Sequence, residues 1–279
     1  MAKSVTAEFV SRPFAGLPGE PGWVAMREIV PAAVGQAKTL PAHGGADVQI
    51  VTILPGGYTA LHRPDGTILV SVQDALPSDD VSRDLAAALL AALAAEPGTP
   101  IAPVHAEPGA LRLQDVLDLT APFTPEVSAG YEFWVDSGAE RTAELEQSLA
   151  DAADTTVPTE AVPGVEWAYW CLMTHPFLRW VRPEDEDDLI KAMARLKVQQ
   201  HLNLELAAGG EGRFLGMFRA AGLCVPVWEL PDDTTAADLT EPLQELGKRL
   251  DVALAATGPL DAAERRARDG ILSRQVTLR

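Results

Sequence analysis

The sequence predicts an α+β protein of two related halves, each an antiparallel sheet (strand plus β-hairpin) packed by helices. Three observations lead there. The first is the stretch from Tyr58 to Ala95. It reads as a strand to Arg63, a turn at Pro64-Asp65-Gly66, a strand from Thr67 to Gln73, then an Ala/Leu-rich helix after Asp79-Asp80. The second is that this pattern returns late in the chain. Phe214 to Arg219, Ala220-Ala221-Gly222, Leu223 to Glu229, Asp232-Asp233 and a further helix follow in the same order, and Arg63 and Gly66 meet Arg219 and Gly222 at one common offset. The third is a Pro-rich stretch between the two. The expected division is a first half over 1–105, a linker over 106–130, and a second half over 131–279 with an inserted acidic helix and a basic C-terminal tail.

Ser11 to Gly22 is rich in Pro and Gly, an extended arm that other parts of the fold must hold. Trp23 to Ala37 carries Val24, Met26, Ile29 and Val30 at helical spacing, with Pro31 kinking or ending the helix. Asp47 to Leu54 alternates and is rich in Val and Ile, so it reads as a strand. Gly56-Gly57 is a turn, and in the hairpin turn Pro64-Asp65-Gly66 Pro presets φ and Gly accepts the positive φ of a tight return. The helix from Asp80 to Ala95 places Val81, Leu85, Leu89 and Leu93 on one face, with Ser78 or Asp79 as its cap. Leu111 to Leu119 holds a short helical piece. Tyr131 to Val135 reads as a short aromatic strand, Ala139 to Ala153 as an amphipathic helix, and Trp167 to Val181 as an aromatic helix or a pair of short helices broken at Pro176. An acidic helix starts beyond Pro183 and runs to Leu196, where acids suit the helix dipole. His201 to Leu206 is a strand, Arg213 to Leu230 a hairpin, and Ala236 to Ala256 a helix. Asp261 and Glu264 form a capping signal for a last helix that ends near Gly270.

The chain has 279 residues, 47% of them hydrophobic, and carries 22 basic against 40 acidic residues for a net charge of −18. A field of that sign repels nucleic acid and anionic membranes. The two cysteines, Cys171 and Cys224, make no disulfide framework and suit a reducing compartment. Met1 to Glu8 shows no signal peptide, and the apolar run Leu85 to Ala95 is too short for a membrane span. The expectation is a cytoplasmic protein.

Motifs of chemistry are thin. The histidines are His43, His62, His105, His175 and His201. Only Cys171 and His175 stand one helical turn apart, and two ligands do not make a zinc site. Gly209-Gly210-Glu211-Gly212 leads into a strand and lacks the Lys-Ser/Thr of a phosphate loop. No cofactor is expected, and the sequence leans away from catalysis. Two features point to binding instead. Five of the six tryptophans lie beyond residue 130, and Trp is a frequent interface anchor. The tail is basic in an acidic protein, with Arg265, Arg266, Arg268, Arg274 and Arg279. Trp167, Trp170, Trp180, Arg265, Arg266 and Arg268 are therefore the candidate partner-binding residues. Arg63, Arg219, His62 and His175 are the candidates for pairing between the halves or for holding a ligand.

At Arg12-Pro-Phe-Ala-Gly-Leu-Pro-Gly-Glu20, Trp23 to Ala33, Glu132-Phe-Trp-Val135 and Arg274-Gln-Val-Thr-Leu278, the chain resembles a family of unknown function from high-GC Gram-positive bacteria. The resemblance spans nearly the whole chain and implies a cytoplasmic protein. Some similar proteins carry an N-terminal zinc knuckle like that of the SecA translocase motor. This chain has no cysteine before Cys171, so neither the zinc nor a SecA-like role carries over. A topoisomerase label found in the family has no support in a chain this short and acidic. The expected function is that of a non-enzymatic interaction or adaptor protein with an unidentified protein partner. The alternative is an enzyme or small-molecule binder with its site in a cleft between the halves.

Overall fold

The computed structural model describes residues 9–73, 77–136, 138–207, 209–273 and 276–277. Arg274, Arg279, most of the closing motif and the N-terminal segment 1–8 lie outside the described residues. The chain divides into two compact units that meet in sequence at Thr156 and Val157. The boundary is thus beyond the expected linker. The Pro-rich stretch builds part of the first unit, because its short strand pairs into the first sheet.

The first unit contains α1 (Glu20–Glu28), β1 (Ala33–Lys38), β2 (Asp47–Val51), β3 (Ala60–His62), β4 (Ile68–Ser71) and α2 (Val81–Ala94). It continues with β5 (Thr99–Ile101), α3 (Leu113–Val116), β6 (Glu126–Val127) and α4 (Ala143–Asp154). Its sheet has the order β5-β3-β4-β2-β1-β6. One pair, β2 with β4, is parallel, so the sheet is mixed rather than wholly antiparallel. The Pro31 helix ends early, at Glu28, and Ala33 to Lys38 is a strand. Two turns of helix suffice to bury Trp23, which stacks between Phe14 and Phe123. Gly35 makes room for Phe123 against the sheet: a Cβ there would meet its ring at 2.4 Å. On α2 the buried face is Ser82, Leu85, Ala86, Ala88, Leu89 and Ala92, while Val81 and Leu93 sit at its margins. Asp80 is its N-cap and makes no side-chain cap bond. Asp80 is instead paired with Arg83 and Arg112. The Pro-rich arm is held as expected. Arg112 and Gln114 donate to the Pro13 carbonyl at 3.1 and 2.9 Å, and Val10 N–H donates to Asp79.

Tyr131 to Val135 is not a strand. Glu132–Trp134 is a 3-10 turn whose rings pack on one another, with Tyr131 and Trp134 stacked 4.4 Å apart. Burial of the rings sets the backbone here, against the β preference of aromatic residues.

The second unit contains β7 (Thr159–Ala161), β8 (Ala168–Leu172), β9 (Pro176–Trp180), α5 (Glu186–Val198), β10 (Leu204–Glu205), β11 (Glu211–Ala220) and β12 (Leu223–Glu229). Then come α6 (Thr240–Leu254), α7 (Ala262–Leu272) and β13 (Val276–Thr277). The order is β10-β11-β12-β9-β8-β7, antiparallel along the path, with β13 added in parallel to β11. The expected aromatic helix over Trp167 to Val181 is the hairpin β8–β9. Tyr169, Trp170, Phe177 and Trp180 favour a pleated, half-buried surface. The β11–β12 turn has Ala221 at φ 41° and Gly222 at φ 83°, the paired positive angles that suit a two-residue hairpin. Helices α5, α6 and α7 cover one face of this sheet. Leu189, Met193, Leu243, Leu246, Leu250 and Ile271 pack there on Leu178, Trp180 and Trp228.

Inside the two sheets the order is the same, β1-β2-β4-β3 and β8-β9-β12-β11. The polarity differs. In the first unit a short loop joins β2 to β3, so β4 runs parallel to β2. In the second, α5 returns the chain across the sheet, about 20 Å over its 13 residues, before the second hairpin starts. The hairpin therefore enters reversed, and β12 runs antiparallel to β9.

Candidate anion-binding groove

The groove is built from two helices and the loop that joins α6 to α7. Asp185 caps α5, accepting from the N–H groups of Asp187 and Asp188. That fixes the helix phase. Leu189, Ile190 and Met193 then face the core, and Asp188, Lys191 and Arg195 form a ridge at i, i+3 and i+7 on another side. Asp261 caps α7 and Glu264 reaches back to the Asp261 N–H, the predicted capping box. Ile271 is thereby buried against α5 and α6, and Arg265 and Arg268 line the groove opposite the α5 ridge. Leu254, Thr257, Gly258, Pro259 and Leu260 form the floor of this space of about 570 Å³.

Four cations and one carboxylate line the groove. Lys191 pairs with Asp188 at 3.0 Å, and Arg268 with Asp269 at 2.8 Å. Arg195 and Arg265 are held differently. Arg195 donates to the carbonyls of Ala253 and Gly258 at 3.1 and 2.7 Å. Arg265 donates to Leu260 at 2.6 Å. A carbonyl orients a guanidinium without cancelling its charge. Asp261, whose carboxyl bonding to the Glu264 N–H holds below the usual range, also feels Arg265 and Arg266.

The other predicted residues are spread through the two units. Trp180 is 5% exposed, donates to the Glu166 carbonyl at 3.0 Å and lies under Arg182 at 4.1 Å. Trp170 is half-buried against the same core and donates to Thr234 at 2.8 Å. Both rings are fastened from within. Trp167 is half-buried, with φ at 61°. Arg266 is exposed on α7.

Arg63 is buried and clamps the first unit: it donates to Phe133 and Val135 carbonyls and pairs with Asp65. His62, next to it, turns Nδ1 to the Ala95 carbonyl at the end of α2, at 2.8 Å. Arg219 pairs with Glu186 at the start of α5. His175 meets Asp232 at 2.9 Å, which raises its pKa above the ordinary histidine value. Arg219 pairs in register with Cys224 and His175 lies beyond Phe177, which pairs with Glu229, so the two stand at opposite ends of β12. Burial pushes Cys171 up and Cys224 up to about 12. Among the described residues no group of three His, Cys, Asp or Glu is placed to hold a metal. No described helix is long and apolar enough to cross a membrane.

Lys191 and Arg195 escaped the sequence reading. Their signal was present: two cations one turn apart on the polar side of a helix whose acidic start drew the attention. What no local pattern contains is their placement opposite Arg265 and Arg268, about 70 residues later in the chain.

No curated protein and no solved structure matches the chain. Residues 13–279 do match the model of DUF5926, a family of unknown function, and with that span covered the chain belongs to this family.

Proposed function

We propose that the protein is a non-enzymatic, cytoplasmic interaction protein that docks an acidic segment of a protein partner in the groove between α5 and α7. The observation that carries this reading is the anchoring of Arg195 and Arg265 on main-chain carbonyls. Two cations are oriented before any partner arrives, in a chain of net charge −18. Ordering a long charged side chain costs binding energy, and that cost is met in the fold here. The overall field repels acidic partners at a distance, so recognition depends on this local patch and on short range.

The test is capture of partners from the native cytoplasm by tagged wild type and by a Lys191→Glu/Arg265→Glu variant, at low and at moderate salt. Circular dichroism checks that the variant folds. A stoichiometric partner held by the wild type at moderate salt and lost from the folded variant is the expected result. A partner captured equally by both proteins refutes the groove as the docking site.

A further inference from the structure

We propose that the group recognised in this groove is a phosphoryl group, carried as phosphoserine or phosphothreonine on the docking segment. The inference rests on the groove reading and names its ligand chemistry.

The argument is one of charge per length. Of the four cations that line the groove, Lys191 is paired with Asp188 and Arg268 with Asp269. Arg195 and Arg265 are instead held on main-chain carbonyls, with Asp261 within electrostatic reach of Arg265. Arg195 is anchored on Ala253 and Gly258 and Arg265 on Leu260, and the Gly258 and Leu260 carbonyls are two residues apart, at most about 7 Å along the chain. Two guanidiniums therefore converge on one short stretch of loop. The ridge from Asp188 to Arg195 is about 10 Å long, at 1.5 Å per residue. An extended peptide lays about three residues over that length, and its side chains alternate in direction. Two of the three at most face the floor, with carboxylates about 7 Å apart. Such a segment spreads its charge along the groove rather than at the Gly258 to Leu260 stretch on which Arg195 and Arg265 are anchored. A phosphoryl group places about −1.5 to −2 charges and three acceptor oxygens at one point. Guanidinium forks match that geometry in pairs. Leu254, Pro259 and Leu260 give the flanking residues an apolar floor.

The test uses the full chain and three peptides of one sequence, a phosphoserine flanked on each side by three Ala or Gly residues, and the same peptide with Ser or Glu at the centre. Affinity is measured by calorimetry at moderate salt, for wild type, Arg265→Lys and Arg265→Gln. The expected result is binding of the phosphopeptide about tenfold or more tighter than the Glu peptide, as for a dianion against a single charge. Binding of the Ser peptide is expected to be undetectable. Arg265→Lys keeps the charge and loses the fork, so it should cost the phosphopeptide several-fold and leave the Glu peptide unchanged. Equal affinity for the phospho and Glu peptides, both weakened in Arg265→Gln, overturns the phosphoryl inference while the acidic-docking reading stands. No binding of either charged peptide, or binding that ignores Arg265, overturns the inference at this groove. Inorganic phosphate is run as a competitor. If it binds as tightly as the phosphopeptide, the source is free phosphate or a small phosphate ester, and the peptide form of the proposal fails.

Discussion

Arg63→Ala tests whether the first unit is held by one side chain. Arg63 sits at the end of β3, 9% exposed, and binds in two directions. Its Nη1 donates to the carbonyls of Phe133 and Val135 at 3.2 and 3.1 Å, across about 70 residues of sequence. Its Nε and Nη2 donate to Asp65 at 3.0 and 2.5 Å, and Nη2 also donates to Thr67 at 3.0 Å. The first pair of bonds fixes the aromatic turn Glu132–Trp134 over the sheet, where Trp134 donates to Ile53 and packs on Val51, Leu54 and Leu69. A hydrogen bond with a charged partner contributes about 1.5–3 kcal/mol net. Two such bonds set an upper range of about 3–6 kcal/mol, and rehydration of the two loop carbonyls returns part of it. The expected loss is about 2–4 kcal/mol. Urea unfolding of the first unit gives the number, and hydrogen exchange of the 131–135 amides shows where it arises. Arg63→Lys keeps the charge but not the fork, and should recover less than half. If Arg63→Ala lies within about 0.5 kcal/mol of wild type, as for an ordinary surface change, or leaves exchange at 131–135 unaltered, the clamp is not real.

The remaining predictions follow from single contacts. Asp65 is held well below the usual carboxylate range by Arg63. A depressed folded pKa gives stability that is present above the unfolded value, about 3.9, and is lost as pH falls through the folded value. Asp65→Asn should therefore be less stable than wild type at neutral pH, and the gap should close only in strong acid, as read from unfolding midpoints against pH. Trp180→Ala should cost about 3–5 kcal/mol in unfolding of the second unit, because the ring is core; a folded, stable variant with weakened partner capture would show it to be a surface anchor instead. His175 titrates above its ordinary value through Asp232. Its stabilising contact is full below the unfolded pKa and fades as pH rises through the folded one, so Asp232→Asn should lower the midpoint seen by NMR. Cys171 and Cys224 are both buried, and burial suppresses the thiolate. Maleimide should label them at less than about 1% of the rate seen in denaturant.

Legibility followed the range of the interactions involved. The hairpins β3–β4 and β11–β12 could be read because turn chemistry is local: Gly66 at φ 87° and Gly222 at φ 83° are required within a few residues of the strands they join. The capping box of Asp261 and Glu264 was readable for the same reason. The errors fall where a distant surface decides. Tyr131 to Val135 has strand composition, yet its backbone follows the stacking of Tyr131 on Trp134 and the pull of Arg63, whose position relative to residue 133 no local rule contains. Trp167 to Val181 has apolar residues near helical spacing, and a buried sheet face made it a hairpin instead. Pro content marks 106–130 as a linker in the sequence, while in the structure Glu126 and Val127 find a partner in β1, over 90 residues earlier. The groove belongs to the same class. Arg265 and Arg268 were singled out for their charge alone. The structure sets them opposite the α5 ridge, with Arg265 held on the Leu260 carbonyl and Arg195 on Gly258. Residues far apart in sequence produce that arrangement through the burial of Leu189, Met193 and Ile271 in one core. Under the proposed anion docking, the geometry of the groove depends on core packing, and repacking Ile271 should alter anion binding without touching a charged residue. Ile271→Ala, which leaves every cation in place, is expected to weaken phosphopeptide binding in the folded protein. Unchanged affinity in that variant would show that the two helices do not need each other to hold the guanidiniums together.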